Sequence, residues 1–337
     1  MVNLKSVCSW FFLIFLLVIA TGCSGVNVLV QSPKQTPIIA PTQTPTQIVP
    51  KVFDGQRAWK DVDYQVSLGA RTPGSQAHQK AVDWMVNELK SAGWDVQVQE
   101  SSLLGHPIQN VVAQWGEGHP WVVLGAHYDS RLVADQDPDP HKRTLPVPGA
   151  NDGASGVAVL LELARILPSN FLSKPAALQS AGEPVPAKKI TLLFIDAEDN
   201  GGIPGWDWLL GSQAYNQQWQ TKDVDRPDAA VIIDMIGDKD LNIYRELNSN
   251  PALTNAIWAQ AQALGYSQQF INQPKYRMLD DHIPFIKAGI PAVDVIDFDY
   301  PYWHTTEDTA DKVSAQSLQI VGDTLAAWLT QNYSRNR

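Results

Sequence analysis

The sequence has only two cysteines, Cys8 and Cys23, and both lie near its amino terminus. The residues that follow have no thiols with which to form a disulfide, so the hydrophobic core alone is expected to stabilise the folded part of the chain. Positive charge is also scarce, since 25 Lys and Arg residues face 35 Asp and Glu residues. The formal net charge of −10 argues against binding to nucleic acid, which normally requires a basic surface.

The sequence also lacks an apolar run long enough to span a bilayer. Its longest apolar segment, VCSWFFLIFLLVIA at residues 7–20, has about 14 residues, whereas a span needs about 20. Lys5 precedes this segment and ATGC follows it, which is the pattern of a secretory signal that ends in a lipobox. We predict that residues 1–23 direct export to the periplasm or cell surface and that a lipid on Cys23 is the membrane anchor. The alternative is an uncleaved membrane anchor.

Composition divides the rest of the chain into a tether and one domain. Residues 24–52 are rich in Pro, Thr and Gln and predict an extended tether. Residues 53–335 predict a single catalytic α/β domain, because 44% hydrophobic and 18% charged residues are typical of globular proteins. Four prolines within 168–188 predict a surface insertion. We expect a monomer.

Apolar runs alternate with helical patterns through most of this domain. The runs WVVLGAHYDS, KKITLLFIDAED, DAAVIIDMIG and IPAVDVIDF read as buried strands, and DVQVQES alternates as an edge strand does. This order predicts a central mixed, mainly parallel β-sheet with helices on both faces. Ligands of such sheets bind beyond the carboxyl ends of the strands, which is where Asp129, the acids of FIDAED and Asp234 lie. We therefore predict a cation site at this edge.

Four segments supply candidate metal ligands. Two carboxylates and one imidazole with an open coordination position suit a catalytic zinc ion. Taken singly, the residues also have structural interpretations: a helix cap for Asp152, a buried structural histidine for His127, and an aromatic corner for His304. The segments are HYDS with His127 and Asp129, GANDGASG with Asp152, FIDAED with Glu198 and Asp199, and WHTTEDT with His304.

The order of HYDS, a Gly-rich ND-G turn, an acid pair, IIDMIG, DDHIPF and WHT resembles the zinc aminopeptidase superfamily. In particular, it is similar to the glutaminyl-peptide cyclotransferases, or glutaminyl cyclases, of the bacterial kind. The resemblance covers about residues 55–331 and implies an α/β fold with a mixed central sheet. Matched by position, it implies one zinc ion per chain, held by Asp152, Asp199 and His304. It also implies that Glu198 is the general acid/base and that Asp234 and Asp280 form a hydrogen-bonded acid pair.

One departure from the family pattern concerns the acid pair. Animal cyclases and many aminopeptidases have two Glu residues here, whereas this chain has Glu198 followed by Asp199. The shorter Asp side chain leaves open which of the two acids binds the metal and which transfers protons.

The implied reaction is the cyclisation of an N-terminal Gln to pyroglutamate with release of ammonia, and the implied partners are peptides and proteins that begin with Gln. Zinc would polarise the side-chain amide, and Glu198 would carry the proton from the amine to the leaving nitrogen. A small pocket would fold the Gln side chain back on itself. We predict Trp206, Trp208, Tyr300 and Trp303 as its walls, with ordinary core aromatics as the alternative.

Two other functions fit parts of the same pattern. A dinuclear aminopeptidase would hold one zinc with His127, Asp152 and Asp234, and another with Asp152, Asp199 and His304. Asp280 and Trp303 favour the cyclase. A non-catalytic cell-surface domain is a third hypothesis, which the complete set of ligands disfavours. Zinc content separates the three: one ion per chain for the cyclase, two for the peptidase and none for the binding domain.

Overall fold

The computed structural model describes residues 51–172, 189–219 and 224–331. The predicted signal segment, Cys23 and nearly all of the tether lie outside these residues, as does most of the predicted insertion at 168–188. The described helices are α1 (Gly55–Ser67), α2 (Gln76–Ser91), α3 (Ala154–Leu172), α4 (Leu210–Asn216), α5 (Pro251–Ala263), α6 (His282–Lys287) and α7 (Ala315–Gln331). The described strands are β1 (Asp95–Leu103), β2 (His106–Gly116), β3 (Trp121–His127), β4 (Lys189–Ile195), β5 (Ala229–Asp234), β6 (Ile243–Arg245), β7 (Phe270–Pro274) and β8 (Ala292–Ile296).

Six strands form the central sheet in the order β1-β2-β4-β3-β5-β8. Strands β4, β3, β5 and β8 run parallel, whereas β2 pairs antiparallel with both β1 and β4. The mixed, mainly parallel sheet predicted from the sequence is confirmed, and β1 lies at an edge as its alternating pattern indicated. The small parallel sheet of β6 and β7 was not predicted, because both strands are short and β7 is mostly exposed.

Helices cover both faces of the central sheet, as predicted. Val122 and Leu124 of β3 belong to a core shared with α1, α2, α3, α5 and α7. Val123 between them belongs to a second core that includes Tyr215 of α4 and Phe285 of α6. Because neighbouring side chains of a strand point to opposite faces, these two cores lie on the two sides of the sheet. Of the helices that the structure describes, five therefore pack on one face and two short ones on the other.

Helix α1 was not predicted from the sequence. Asp54 caps it by accepting hydrogen bonds from the backbone N–H groups of the second and third helical residues. Ala58 and Val62 are buried at helical spacing, but Asp61 and Gln65 also face inward. These two polar residues belong to the buried face, so the helix has few apolar residues by which to identify it in the sequence.

Helix α3 continues past Pro168, where the sequence predicts that the long helix gives way to an insertion. A proline inside a helix leaves the carbonyl four residues earlier without its usual donor. Here the indole N–H of Trp94 donates to that carbonyl, on Ala164, at 2.9 Å. Because Trp94 supplies the missing donor, the helix can continue past Pro168. Within the described ranges, no helix combines the length and apolar character needed to cross a bilayer.

Candidate active site

Acidic side chains and histidines converge beyond the carboxyl ends of three adjacent parallel strands. His127 ends β3, the acids of FIDAED follow β4, and Asp234 ends β5. Loops that precede α3 and α7 bring Asp152 and His304 to the same place. The resulting pocket has a volume of about 260 Å³ and is lined by Asp152, Glu198, Asp199, Trp208, Asp234, Met235, Met278, Leu279, Asp280, Ile296, Phe298 and Trp303.

The side chains of the three acids of FIDAED lie in two different places. The carboxylate of Asp196 contacts His78 Nε2 at 2.7 Å and accepts from the backbone N–H of Gln109 at 2.8 Å, away from the pocket. Ala197 then adopts a left-handed conformation with φ of 51°, which is rare outside glycine and redirects the chain. Glu198 and Asp199 consequently enter the pocket. The first acid is structural, and only the next two belong to the site.

Asp152, Asp199 and His304 are arranged as the ligands of one metal ion. Each contributes an atom to a group in which all ligand atoms lie within 4.8 Å of one another. His304 Nε2 is 2.8 Å from Asp199 Oδ1 and 3.8 Å from Asp152 Oδ2. Ligand atoms around a tetrahedral zinc ion, each about 2.1 Å from it, lie about 3.4 Å apart.

The oxygens of this group also need a cation. Asp152 Oδ2 and Asp199 Oδ2 are buried and accept no hydrogen bond from any residue that the structure describes. Buried carboxylate oxygens normally have a partner, and unpaired ones are costly. The residues present therefore fit a zinc ion in both donor type and spacing.

A second group of ligands shares Asp152. His127 Nε2 lies 3.1 Å from Asp152 Oδ1 and 3.1 Å from Asp234 Oδ1. The three ligand atoms again lie within 4.8 Å of one another. The two oxygens of Asp152 thus face the two groups, and the distances accommodate either one ion or two.

Arg131 and Asp135 orient the proposed ligands from outside the pocket. Asp135 Oδ1 is 3.5 Å from His304 Nδ1, so the imidazole presents its other nitrogen to the metal position. Arg131 holds Asp135 with bonds of 2.8 and 2.9 Å and donates to the carbonyl oxygen of Asp199 at 2.7 Å. His304 itself has φ of 55°, a strained conformation that these contacts stabilise. The sequence reasoning missed Arg131, which follows directly after the HYDS motif.

Tyr300 was predicted to be a wall of the pocket, but it is not among the lining residues. It lies beneath the Asp152 loop instead. Its hydroxyl donates to Asp308 Oδ1 at 2.6 Å. Asp308 in turn accepts from the backbone N–H groups of Asn151 at 2.8 Å and Asp152 at 3.2 Å. Tyr300 therefore supports the ligand loop through Asp308, a residue that the sequence reasoning missed although it lies within the WHTTEDT motif.

Asp129, a candidate ligand in the sequence, holds backbone in place. Its buried carboxylate accepts from the backbone N–H groups of Glu198 at 3.1 Å and Asp199 at 3.4 Å. The loop opposite requires Gly153, which has φ of 100° and where a Cβ would lie 2.7 Å from the carbonyl oxygen of Asp129. Asp129 thus fixes the acid pair against the Asp152 loop.

Of the remaining predicted aromatic walls, two line the pocket and one does not. Trp208 and Trp303 are lining residues. The Trp208 ring packs so closely on Gly201 that a Cβ there would lie 2.1 Å from ring atoms. Trp206 instead stacks on His106 with ring centroids 3.6 Å apart, outside the lining. Its placement corrects the prediction, because neighbours two apart in an irregular loop need not share a face.

Burial dominates the electrostatics of the pocket. It raises the pKa of Glu198 well above the usual value, with the charges of Asp199 and Asp280 adding to the effect while His127 opposes it. Burial likewise raises the pKa of Asp234 to about 7. The pKa of Asp152 is lowered, because the contact with His127 and the charges of both histidines outweigh burial. The site therefore combines a ligand whose pKa is lowered, Asp152, with an acid whose pKa is raised, Glu198.

Asp280 brings a further acid to the pocket, as predicted. Its negative charge contributes to the raised pKa of Asp234, but Asp280 Oδ2 has no hydrogen-bonding partner among the described residues, so the predicted hydrogen bond between the two acids stays a prediction. Asp280 also faces Asp294 and His282, whose ligand-type atoms lie within 4.8 Å of it. Sequence reasoning missed both of these residues, although DDHIPF and AVDVI each place a polar residue among buried ones.

Comparisons with known proteins agree with this geometry. The profile of peptidase family M28 matches residues 110–329. Aminopeptidase YwaD of Bacillus subtilis is 30% identical over 62% of this chain, which spans 40% of that relative's length. The glutaminyl cyclase structure from Tannerella forsythia is 32% identical with a TM-score of 0.72, covering 83% of this chain and 99% of that one. The glutaminyl cyclase structure from Porphyromonas gingivalis is 33% identical with a TM-score of 0.72, covering 82% and 98%.

Proposed function

The chain belongs to peptidase family M28, and we propose that it is an enzyme that cyclises the N-terminal Gln of peptides and proteins to pyroglutamate, releasing ammonia. One observation carries this proposal. Glu198, an acid whose pKa is raised by burial, lies beside the group of Asp152, Asp199 and His304 in a pocket walled by tryptophans. The similarity to two solved glutaminyl cyclases over nearly their whole length supports it.

We propose one zinc ion per chain, bound by Asp152, Asp199 and His304. When bound, zinc supplies a Lewis acid that polarises the γ-carbonyl of the substrate. Asp199 rather than Glu198 is the proposed ligand, because its Oδ1 approaches His304 Nε2 at 2.8 Å and its Oδ2 is otherwise unpartnered among the described residues. This assignment leaves the longer side chain, Glu198, free to move a proton.

Glu198 is the proposed proton carrier. The α-amine of the substrate attacks the carbon of its own side-chain amide, and the bond from that carbon to the amide nitrogen breaks. Glu198 accepts the proton that the attacking amine loses and gives it to the departing nitrogen, which leaves as ammonia. A general acid/base is most effective when its pKa is near the working pH, and burial shifts that of Glu198 in this direction.

The pocket favours attack from within the substrate. Its volume of about 260 Å³ suits one folded Gln side chain, and Trp208 and Trp303 narrow it. Holding the amine against the amide restricts the flexible Gln side chain to the geometry of attack, and such orientation is a large part of the acceleration in these reactions. Asp280 lines the pocket, and we propose that it accepts a hydrogen bond from the amide NH₂ group.

The rest of the peptide is proposed to leave through an adjoining groove. Trp208 and Leu279 line both the pocket and this groove, which has a volume of about 750 Å³. Asp207 and Lys287 also line it, so it offers charged contacts to residues that follow the Gln.

An aminopeptidase is the second candidate, and the group of His127, Asp152 and Asp234 favours it. These residues could hold a second ion at the same spacing. A dinuclear site would then hydrolyse the bond after the first residue, with Glu198 activating water. Asp280 disfavours this alternative, because its charge raises the pKa of Asp234, and a protonated Asp234 is a poorer ligand for a second metal ion.

Mass spectrometry of peptides after incubation with the zinc-loaded protein tests the proposal. A Gln-initiated peptide should lose about 17 mass units, the mass of ammonia, and a matched Leu-initiated peptide should remain intact. Removal of the first residue from either peptide would replace the proposed cyclase with the aminopeptidase. Glu198→Gln protein is the control for spontaneous cyclisation.

We propose that the enzyme acts as a monomer outside the inner membrane, anchored by a lipid on Cys23. The signal pattern around Cys23 and the Pro/Thr-rich tether support this proposal. Cys23→Ser should abolish incorporation of labelled fatty acid and release the protein from the membrane fraction. Unchanged membrane association of that variant would favour the uncleaved anchor.

A further inference from the structure

Behind the pocket lies a chain of four buried titratable residues, Asp280, Asp294, His282 and Glu246. Their side chains run in this order from the pocket wall into the protein interior. Asp294 occupies the middle of the buried strand β8, where an unpaired carboxylate costs several kcal/mol. The proposed reaction as derived above uses only Asp280. The cost of burying the other three requires an explanation.

Glu246 is the fixed end of the chain. Its carboxylate accepts from the backbone N–H groups of Asn248, Ser249 and Met278 at distances of 2.7 to 2.9 Å, and from the Ser249 hydroxyl at 2.8 Å. Burial opposes its ionisation, but these bonds and the contact with His282 lower its pKa to about 2. Glu246 is therefore an anion, and it holds the backbone of Met278, which lines the pocket.

His282 lies between two carboxyl groups. Its Nε2 is 3.4 Å from Glu246 Oε2, and its Nδ1 is 3.6 Å from Asp294 Oδ2. Both separations slightly exceed an ordinary hydrogen bond, yet neither nitrogen has another hydrogen-bonding partner among the described residues. A histidine between two carboxyl groups can satisfy both by donating from both nitrogens.

Asp294 links the histidine to Asp280. Burial and the charges of Asp280 and Asp234 raise the pKa of Asp294 well above its usual value, which favours the protonated form. A protonated carboxyl has one donor and one acceptor oxygen. The acceptor can receive the N–H of His282, and the donor can reach Asp280, whose Oδ2 has no other partner in the described part of the chain.

We propose that His282 and Asp294 are positioning residues that hold the carboxyl group of Asp280 directed into the pocket. His282 donates from Nε2 to Glu246 and from Nδ1 to Asp294, and Asp294 donates its own proton to Asp280. The spacing of Asp280, His282 and Asp294 would also suit a metal ion, but a ring that donates from both nitrogens has no lone pair left to bind one. The inference rests on the proposed function for the role of Asp280 in turnover.

Two pairs of variants test this arrangement. Asp294→Asn keeps a donor and an acceptor at the same places, whereas Asp294→Leu removes both. The amide of His282→Asn lies near the position of Nδ1 and can still donate to Asp294, whereas that of His282→Gln lies near Nε2 and can donate only to Glu246. For each variant we would measure kcat and KM for a Gln-initiated peptide, zinc content and the midpoint of thermal unfolding.

We expect the two Asn variants to retain kcat within about threefold. The Leu and Gln variants should lose about tenfold or more in kcat, as is typical for residues that orient a reactive group, with KM and zinc content unchanged. His78→Asn is the matched control, because it breaks another buried His–carboxylate contact, of 2.7 Å to Asp196, at a distance from Asp280. It should lower the unfolding midpoint and leave kcat within about threefold.

Three results would overturn the inference. Equal activity in all four variants would remove the positioning role, and an inactive Asp294→Asn protein would show that Asp294 acts as an ion. A loss of kcat that follows the unfolding midpoint alike in both His282 variants would leave only a structural role. If Asp294→Leu fails to fold, the two His282 variants and Asp294→Asn still test the positioning role. Absence of cyclisation by the unaltered enzyme would instead contradict the proposed function.

Discussion

Buried acids occur in two regions of this molecule, and their partners differ. Between helices α1 and α3, Glu162 contacts the guanidinium groups of Arg57 and Arg165, and Asp61 also contacts Arg165. At the carboxyl ends of the strands, Asp152 and Asp199 leave buried oxygens without a hydrogen-bonding partner among the described residues. Both regions place acids in the interior, but only the first pairs them with arginines in direct contact, since Arg131 Nη1 stays 3.8 Å from Asp199 Oδ1.

The difference separates acids that stabilise the fold from acids that need a ligand. Removing one partner of a buried ion pair costs stability, since the other partner is left uncompensated. A cluster of buried acids without partners lowers the stability of the unaltered protein. Its presence therefore indicates that a ligand binds there. Substitutions around the pocket should change zinc binding or turnover. Substitutions among the acids between α1 and α3 should change only the free energy of unfolding.

His304→Ala should have the largest effect on activity. With the imidazole gone, Asp152 and Asp199 lose the only nitrogen ligand of their group, and zinc content should fall below about one tenth of that of the unaltered protein, with cyclisation undetectable. Metal analysis and far-UV circular dichroism check this together. Full zinc occupancy in the variant would refute the assignment of His304 as a ligand.

Glu198→Gln should keep zinc and fold but lower kcat by a factor of about 10² to 10⁴, the usual contribution of a general acid/base. The isosteric amide cannot accept and return a proton. Steady-state kinetics, with zinc content measured on the same sample, provides the test. Normal turnover would exclude Glu198 from proton transfer and reopen the choice between it and Asp199.

Glu162→Gln should destabilise the fold by about 3 kcal/mol and leave kcat unchanged, because it removes the acid that two arginines share. Urea unfolding gives the free energy. Glu88→Gln is the matched control, since Glu88 contacts Arg165 at 2.7 Å but is partly exposed and should cost less than about 1 kcal/mol. A loss of activity in folded Glu162→Gln protein would contradict the conclusion that the acids between α1 and α3 affect only stability.

Trp303→Ala should raise KM or lower kcat about tenfold for Gln-peptides while zinc stays bound, because the pocket loses a wall. Trp206→Ala should change stability only, since Trp206 packs on His106 away from the pocket. Identical kinetics for both variants would make Trp303 an ordinary packing residue.

The sequence was sufficient to predict most of the strands and most of the pocket acids. Continuous apolar runs such as ITLLFI are long enough to identify buried strands, and acids placed directly after them must meet at one edge of a parallel sheet. The ligand triad and Asp280 followed from the resemblance to a family. Trp208 and Trp303 line the pocket as predicted, whereas Trp206 and Tyr300 were predicted to line it and lie elsewhere.

Residues that act through a second residue could not be predicted. Asp308, Arg131 and Asp294 each contact the site by way of backbone groups or another side chain, and such contacts join segments that are far apart in the sequence. Helix α1 escaped prediction for a different reason, since its buried Asp61 is compensated by Arg165, about a hundred residues further on.

The anomalous scattering of zinc in crystals of the protein, measured on both sides of the zinc absorption edge, tests the central claim most directly. The account predicts one peak per chain, within bonding distance of Asp152, Asp199 and His304. A second peak of similar height between His127 and Asp234 would contradict the single-ion cyclase and support the aminopeptidase. A single peak at that second position would contradict the ligand assignment altogether.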